Sequence, residues 1–190
     1  YAFSAHKMYG PQGVGVLYGR RSLLAQMPPY QGGGEMIASV SFEHTEFAEL
    51  PFKFEAGTPD FVGIAAMTTA IDYIESVGLQ RIEEHEKALY DHVIHRLDSE
   101  VQGIDIYGTA PGKCAILSFN LRGAHHYDVG VLLDKLGVAV RTGHHCAQPL
   151  MRALGIEGCV RASFALYNTL GEADAFVDAL KRVQAMLVRN

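Results

Sequence analysis

The chain has 190 residues, 48% of them hydrophobic and 19% charged, with a formal net charge of −5. That suffices for one substantial core or two smaller ones. The mild acidic excess argues against nucleic acid and anionic membrane as partners, and no apolar run approaches the ~18 residues of a membrane span.

The opening YAF is strand-like, and no signal-like start is recognisable. The chain is therefore expected to be a fragment, with any targeting signal upstream of Tyr1. VGVLYG (14–19) reads as a strand closed by Gly19. RSLLAQM (21–27) offers a turn or two of helix before Pro28-Pro29 stops it. YQGGGEM (30–36) lets the backbone approach a ligand or partner closely, and SVSFEHTEF (39–47) suggests a hairpin-like arm.

From Phe61 the pattern becomes helical, with Ile64, Met67, Ile71 and Ile74 on one face and a stop at Gly78. A second helix, about 80–97, buries Ile82, Leu89, Val93 and Leu97. Its His85, His92 and His95 read as solvated or boundary histidines. Strands are expected at 104–108, 114–121, 137–141 and 159–168. Helices are expected at 127–136, 149–155 and 171–188. Residues 70–190 thus make an α+β unit of independent-domain size.

The three cysteines, Cys114, Cys146 and Cys159, are odd in number, widely spaced and without a CxxC. A disulfide framework or zinc ribbon is disfavoured, and a reducing, cytoplasmic setting is expected. Cys114 and Cys159 open apolar runs and read as inert core thiols. Cys146 differs: it sits in RTGHHCAQP (141–149), among polar and basic residues that favour the reactive thiolate. A metal site from His144, His145 and Cys146, with His125 and His126, is disfavoured because adjacent residues rarely point at one ion.

The segment FSAHKMYGPQGVGVLY (3–18) carries Lys7 between polar residues and a Gly-Pro turn. By composition alone this is a solvated loop lysine. The string S-x-H-K-x-x-G-P-x-G-x-G, however, resembles the surroundings of the Schiff-base lysine in class V aminotransferases, fold-type I enzymes that use pyridoxal 5'-phosphate (PLP). FEAGTP (54–59), VRTGHHCAQP (140–149) and VRASFALYNT (160–169) follow in that family's order. Together the phrases resemble group II, SufS-type, cysteine desulfurases, with R-T-G-H-H-C-A the specific part.

The resemblance implies an α/β PLP-dependent transferase fold. Residues 1–69 would be the C-terminal portion of the large PLP-binding domain, and 70–190 the small α+β C-terminal domain. It implies Lys7 as the cofactor lysine, which also moves the substrate Cα proton. Ser4 and His6 match phosphate ligands. Thr58 matches a threonine that reaches the phosphate across a homodimer interface, although its position before Pro59 equally suits a helix N-cap. Cys146 matches the nucleophile that takes sulfur from L-cysteine as a persulfide and leaves L-alanine. Arg161 matches the clamp on the substrate carboxylate. Arg141 matches an active-site arginine, and His145 is a candidate for proton transfer. Tyr167 and Asn168 match the phrase without an assignable role.

By the same resemblance, iron–sulfur cluster assembly is the expected use of the sulfur, with a SufE-type acceptor or an Fe–S scaffold protein as partner. An Asp, a His and a Gln that hold the cofactor ring are expected before Tyr1, so these 190 residues alone are expected to be inactive. Alternatives are a selenocysteine lyase acting on L-selenocysteine, a kynureninase-like class V lyase, and a non-catalytic scaffold- or acceptor-binding module.

Overall fold

The computed structural model describes residues 1–188. The chain divides into two compact units, 1–78 and 79–190. The division falls at Gly78, nine residues beyond the 69/70 boundary expected from sequence, because the helix spanning that boundary stays whole in the first unit. No single helix among the described residues is long and apolar enough to cross a membrane.

The first unit begins with an antiparallel pair, β1 (Ala2–Ser4) and β2 (Gly15–Leu17), with Phe3 opposite Val16. Helix α1 (Arg21–Gln26) follows, and Lys53 Nζ donates to the Ala25 carbonyl near its end at 2.9 Å. Strands β3 (Ile37–Val40) and β4 (Thr45–Phe47) form the expected hairpin. Ser41 Oγ closes it by accepting from the backbone N–H groups of Glu43 and His44. Helix α2 (Phe61–Val77) is capped by Asp60, whose carboxylate accepts from Gly63 N at 2.9 Å. The cap is therefore Asp60 and not Thr58, which leaves the exposed Thr58 hydroxyl out of the helix terminus. Only Ala5, Val14, Met36 and Ala70 are buried apolar side chains in this unit, and Ile64 of the expected helical stripe is exposed.

The second unit holds the main core. Its four-stranded antiparallel sheet has the order β5 (Ile104–Tyr107), β6 (Ile116–Leu121), β8 (Cys159–Ser163), β7 (Arg141–Gly143). Because side chains alternate across a strand, β6 and β8 turn Leu117, Phe119, Val160 and Ala162 to one face. Helices α3 (Leu79–Glu100), α4 (His126–Lys135) and α6 (Leu170–Leu187) supply Leu89, Val93, Leu97, Val129, Leu133, Phe176 and Leu180 to the same core. Ser118, Asn120 and Arg161 alternate onto the other face. Helix α6 starts in a capping box between Thr169 and Glu172.

Three expectations need correction. Residues 137–140 are not strand, since Gly137 (φ +82°) ends α4 and its N–H and that of Val138 turn back to Asp134 and Leu133 carbonyls. Strand β8 stops at Ser163, and the next residues turn where Asn168 Oδ1 accepts from Ala165 N at 2.9 Å. Cys114 is exposed because β6 begins two residues after it, whereas Cys159 is buried as expected.

Helices α3 and α6 are clasped by charge. Arg96, only 18% exposed, pairs with Glu100 (2.6 Å), Asp174 (2.9 Å) and Asp178 (2.8 Å), while Lys181 reaches Glu100 at 2.6 Å. His92 completes the network on Asp174, and His85 meets the Asn168 carbonyl, so these histidines are structural. Hydrogen bonds from Arg96, then Lys181, lower the Glu100 carboxyl from its ordinary 4.5 to about 2. A depressed carboxyl stabilises the folded form fully above its unfolded value and loses that contribution as pH falls through its folded value. Stability should therefore decline between pH 4.5 and about 2. Arg96→Gln should flatten this limb in urea unfolding midpoints measured against pH; an unchanged acid limb would remove Arg96 as its cause.

Candidate active site

The Lys7 segment is the loop of the β1–β2 hairpin, residues 5–14. Ala5 is fully buried, its N–H donates to the Val14 carbonyl at 3.0 Å, and its own carbonyl accepts from Met8 and Gly10 at 2.9 Å each. Those bonds wind Ala5–Lys7 into one 3-10 turn. Gly10 is required there, because a Cβ would lie 2.9 Å from that of Ala5. The turn leaves Ser4 half-buried and His6 and Lys7 exposed. Within four residues it offers a hydroxyl, an imidazole and a primary amine, with no carboxylate among them. That donor set fits PLP: hydroxyl and ring N–H for a phosphate, and an amine for its aldehyde. Thr58 follows Gly57 (φ +77°), whose N–H donates to the Gly34 carbonyl at 3.0 Å, so the Gly-rich stretch 32–34 braces this loop.

Arg141, Cys146 and Arg161 lie together in the second unit. Arg141 stands directly opposite Arg161 across the β7–β8 ladder. Like charges so placed destabilise a sheet unless an anion joins them. Arg161 Nε is also buried without a hydrogen-bond partner. A guanidinium with a buried, unpaired Nε beside a second guanidinium is suited to a carboxylate partner.

The cysteine follows on a tight turn. Ala147 N donates to the His144 carbonyl at 2.9 Å, and the two residues between, His145 and Cys146, both have positive φ, +53° and +60°. This is the pattern of a type I′ turn, which favours Asn and Gly at those positions. A left-handed conformation costs an L-residue roughly 1–2 kcal/mol. Gly143 (φ +110°) supplies the sharp exit from β7, and the short helix α5 (Gln148–Ala153) receives the chain afterwards. Cys146 is exposed, with Arg141 Nη2 3.9 Å from its sulfur. Residues 141–146 with Gln148 and Pro149 line a cavity of about 560 Å³.

His145 turns its ring inward, Nε2 lying 3.0 Å from the Cys159 carbonyl, while Nδ1 is buried and unpartnered. Burial chiefly pushes its imidazole below the usual histidine range. The Cys159 bond opposes this, and Arg161, Arg141 and His144 add to it. Sequence reasoning missed Gly158, and weighed His126 only as a metal ligand; the two pack closely against each other and against Gly143 at the foot of this loop. A Cβ at Gly158 would lie 2.7 Å from His126 Nε2 and 3.1 Å from the Gly143 carbonyl carbon. The one available signal was a glycine directly before a buried cysteine. No three His, Cys, Asp or Glu side chains are grouped to hold a metal ion among the described residues.

Among proteins of known family, the aminotransferase class-V family matches residues 1–176. A cysteine desulfurase of Serratia proteamaculans is 47% identical over 188 residues, which is 98% of this chain and 46% of that protein. A probable cysteine desulfurase of Mycobacterium leprae is 48% identical over 183 residues, 96% of this chain and 30% of its own length. The crystal structure of the cysteine desulfurase CsdA (S-sulfonic acid) from Escherichia coli superposes with a TM-score of 0.92 at 39% identity, covering 99% of this chain and 46% of that one. The chain therefore spans about half the length, or less, of these relatives. With the family match running through the lysine turn, the arginine pair and the exposed cysteine, the chain belongs to the aminotransferase class V family and carries a part of its PLP-dependent fold.

Proposed function

We propose that the whole protein is a PLP-dependent cysteine desulfurase of the SufS type. The carrying observation is the Cys146 turn: an exposed thiol held in left-handed backbone, 3.9 Å from Arg141, which stands opposite Arg161 with its buried, unpaired Nε. This arrangement supports reading Cys146 as a sulfur nucleophile and Arg161 as a carboxylate receptor, since a structural cysteine needs neither the exposure nor the arginine. Cysteine desulfurases at 45–48% identity support the same reading.

Bound PLP supplies an electron sink for bond making and breaking around the substrate Cα and Cβ. Ser4 and His6 would hold its phosphate, and Thr58 would add a hydroxyl across a homodimer axis, two-fold symmetry being the commonest for oligomers. Arg161 binds the substrate α-carboxylate and orients the amino acid. Lys7 carries the proton at Cα through its amine. Cys146, as thiolate, attacks the substrate sulfur; the new S–S bond forms as the substrate C–S bond breaks. The electron pair of that bond stays with the substrate carbon, which gains a proton and leaves as alanine. Cys146 keeps the sulfur as a persulfide, for a SufE-type acceptor or an Fe–S scaffold in the cytoplasm.

The test is the whole protein with L-cysteine and a thiol reductant. Alanine and sulfide should appear in equal amounts, with L-selenocysteine giving alanine and selenide. Failure to release alanine from either amino acid would sink the reading. A kynureninase-like lyase would instead cleave kynurenine without needing Cys146.

A further inference from the structure

We propose that His145 is a positioning residue whose ring, anchored on the Cys159 carbonyl, holds the Cys146 turn in its left-handed conformation. The inference rests on the function proposed above but concerns a separate interaction. Four observations carry it. The turn 144–147 closes with one backbone hydrogen bond and places two non-glycine residues at positive φ, so local preference alone opposes it. Histidine is among the residues enriched at positive φ, whereas cysteine has no such preference. The β7–β8 ladder ends at the Gly143–Cys159 pair, and two residues later the His145 ring bonds the carbonyl of that same Cys159. The ring thus extends the strand pairing by one side-chain contact and carries it into the turn.

The chemistry of that bond is fixed. A carbonyl only accepts, so Nε2 donates, and the neutral ring keeps its proton there. Nδ1 then presents a buried lone pair with no partner. His145 acts on the sulfur through the backbone, since Arg141 is the side chain whose hydrogen bond reaches Cys146 Sγ among the described residues.

Two substitutions separate the anchor from the turn. Asparagine suits a positive φ as the first central residue of a type I′ turn but is too short to repeat the reach of the imidazole to Cys159. Glutamine offers an amide N–H on a longer arm. In the full-length holoenzyme, His145→Asn should speed amide hydrogen exchange across residues 144–147 by about tenfold or more. It should slow single-turnover persulfide formation on Cys146 by about 100-fold, the scale of a small misplacement of a reacting atom. The cofactor spectrum and KM for cysteine should stay unchanged, and His145→Gln should recover a large part of the rate. Wild-type exchange and transfer in His145→Asn would overturn the proposal. So would a combined loss of cofactor spectrum and cysteine affinity, which would mean general disruption. If the wild-type enzyme releases no alanine from cysteine, the functional reading fails, and the exchange comparison alone still decides the role of His145.

Discussion

Lys7→Ala in the full-length protein should abolish turnover and remove the visible absorption of the lysine-linked cofactor. Losing the proton-transfer role alone is worth roughly 10²–10⁴-fold, and losing the covalent anchor adds to it. The structure explains why nothing nearby substitutes. Lys7 ends a single 3-10 turn fixed at Ala5 and Gly10, and its neighbours His6 and Ser4 are not primary amines. The substitution should leave folding intact, because Lys7 is exposed and the buried side chain of the turn is Ala5. Circular dichroism should match the parent, and so should the melting temperature when both proteins are compared free of cofactor. An absorption band that survives in Lys7→Ala would show that the cofactor lysine lies elsewhere.

Cys146→Ser should separate cofactor chemistry from sulfur transfer. The variant should retain the cofactor absorption and still bind cysteine, because Lys7, Arg141 and Arg161 are untouched. Sulfide release should fall by about three orders of magnitude or more, the scale seen when an enzyme loses its nucleophile. A serine hydroxyl is a far weaker nucleophile toward sulfur than a cysteine thiol. Serine has no advantage over cysteine at φ +60°, so stability should not change. Mass spectrometry should find the added sulfur on position 146 of the parent and none on the variant. Normal turnover by Cys146→Ser would end the persulfide mechanism, and a persulfide on the exposed Cys114 would relocate it.

The helices were the most legible parts of the fold. Helices α2, α3 and α6 carry apolar residues at helical spacing, and α2 ends on the expected Gly78, whereas the Thr169–Glu172 box that starts α6 emerged only in the structure. Strand limits were less legible. An apolar run such as GVAVR does not reveal that Gly137 and Val138 spend their N–H groups on the preceding helix. Cys114 was misread as a core thiol for a related reason, since a run's first residue can precede the strand it announces.

Sequence alone determined the chemistry available: a lysine between Ser-x-His and Gly-Pro, an isolated polar cysteine, two arginines, and the order of phrases that places them in one family. These are statements about residue types and spacing, which the chain carries in any conformation. Tertiary structure decided how that chemistry can be used. Arg141 and Arg161 are twenty residues apart and face each other only because β7 and β8 pair antiparallel in one register. A shift of one residue would send either guanidinium to the opposite face. Thr58 left the helix cap because Asp60 holds the Gly63 N–H. The left-handed backbone of this turn is only half written in its residue identities, since histidine is enriched at positive φ but cysteine is not. It is held by a ring bond to the carbonyl of Cys159 in β8 and by the close fit of Gly158 against His126 and Gly143, contacts that only the folded sheet and helix α4 bring together.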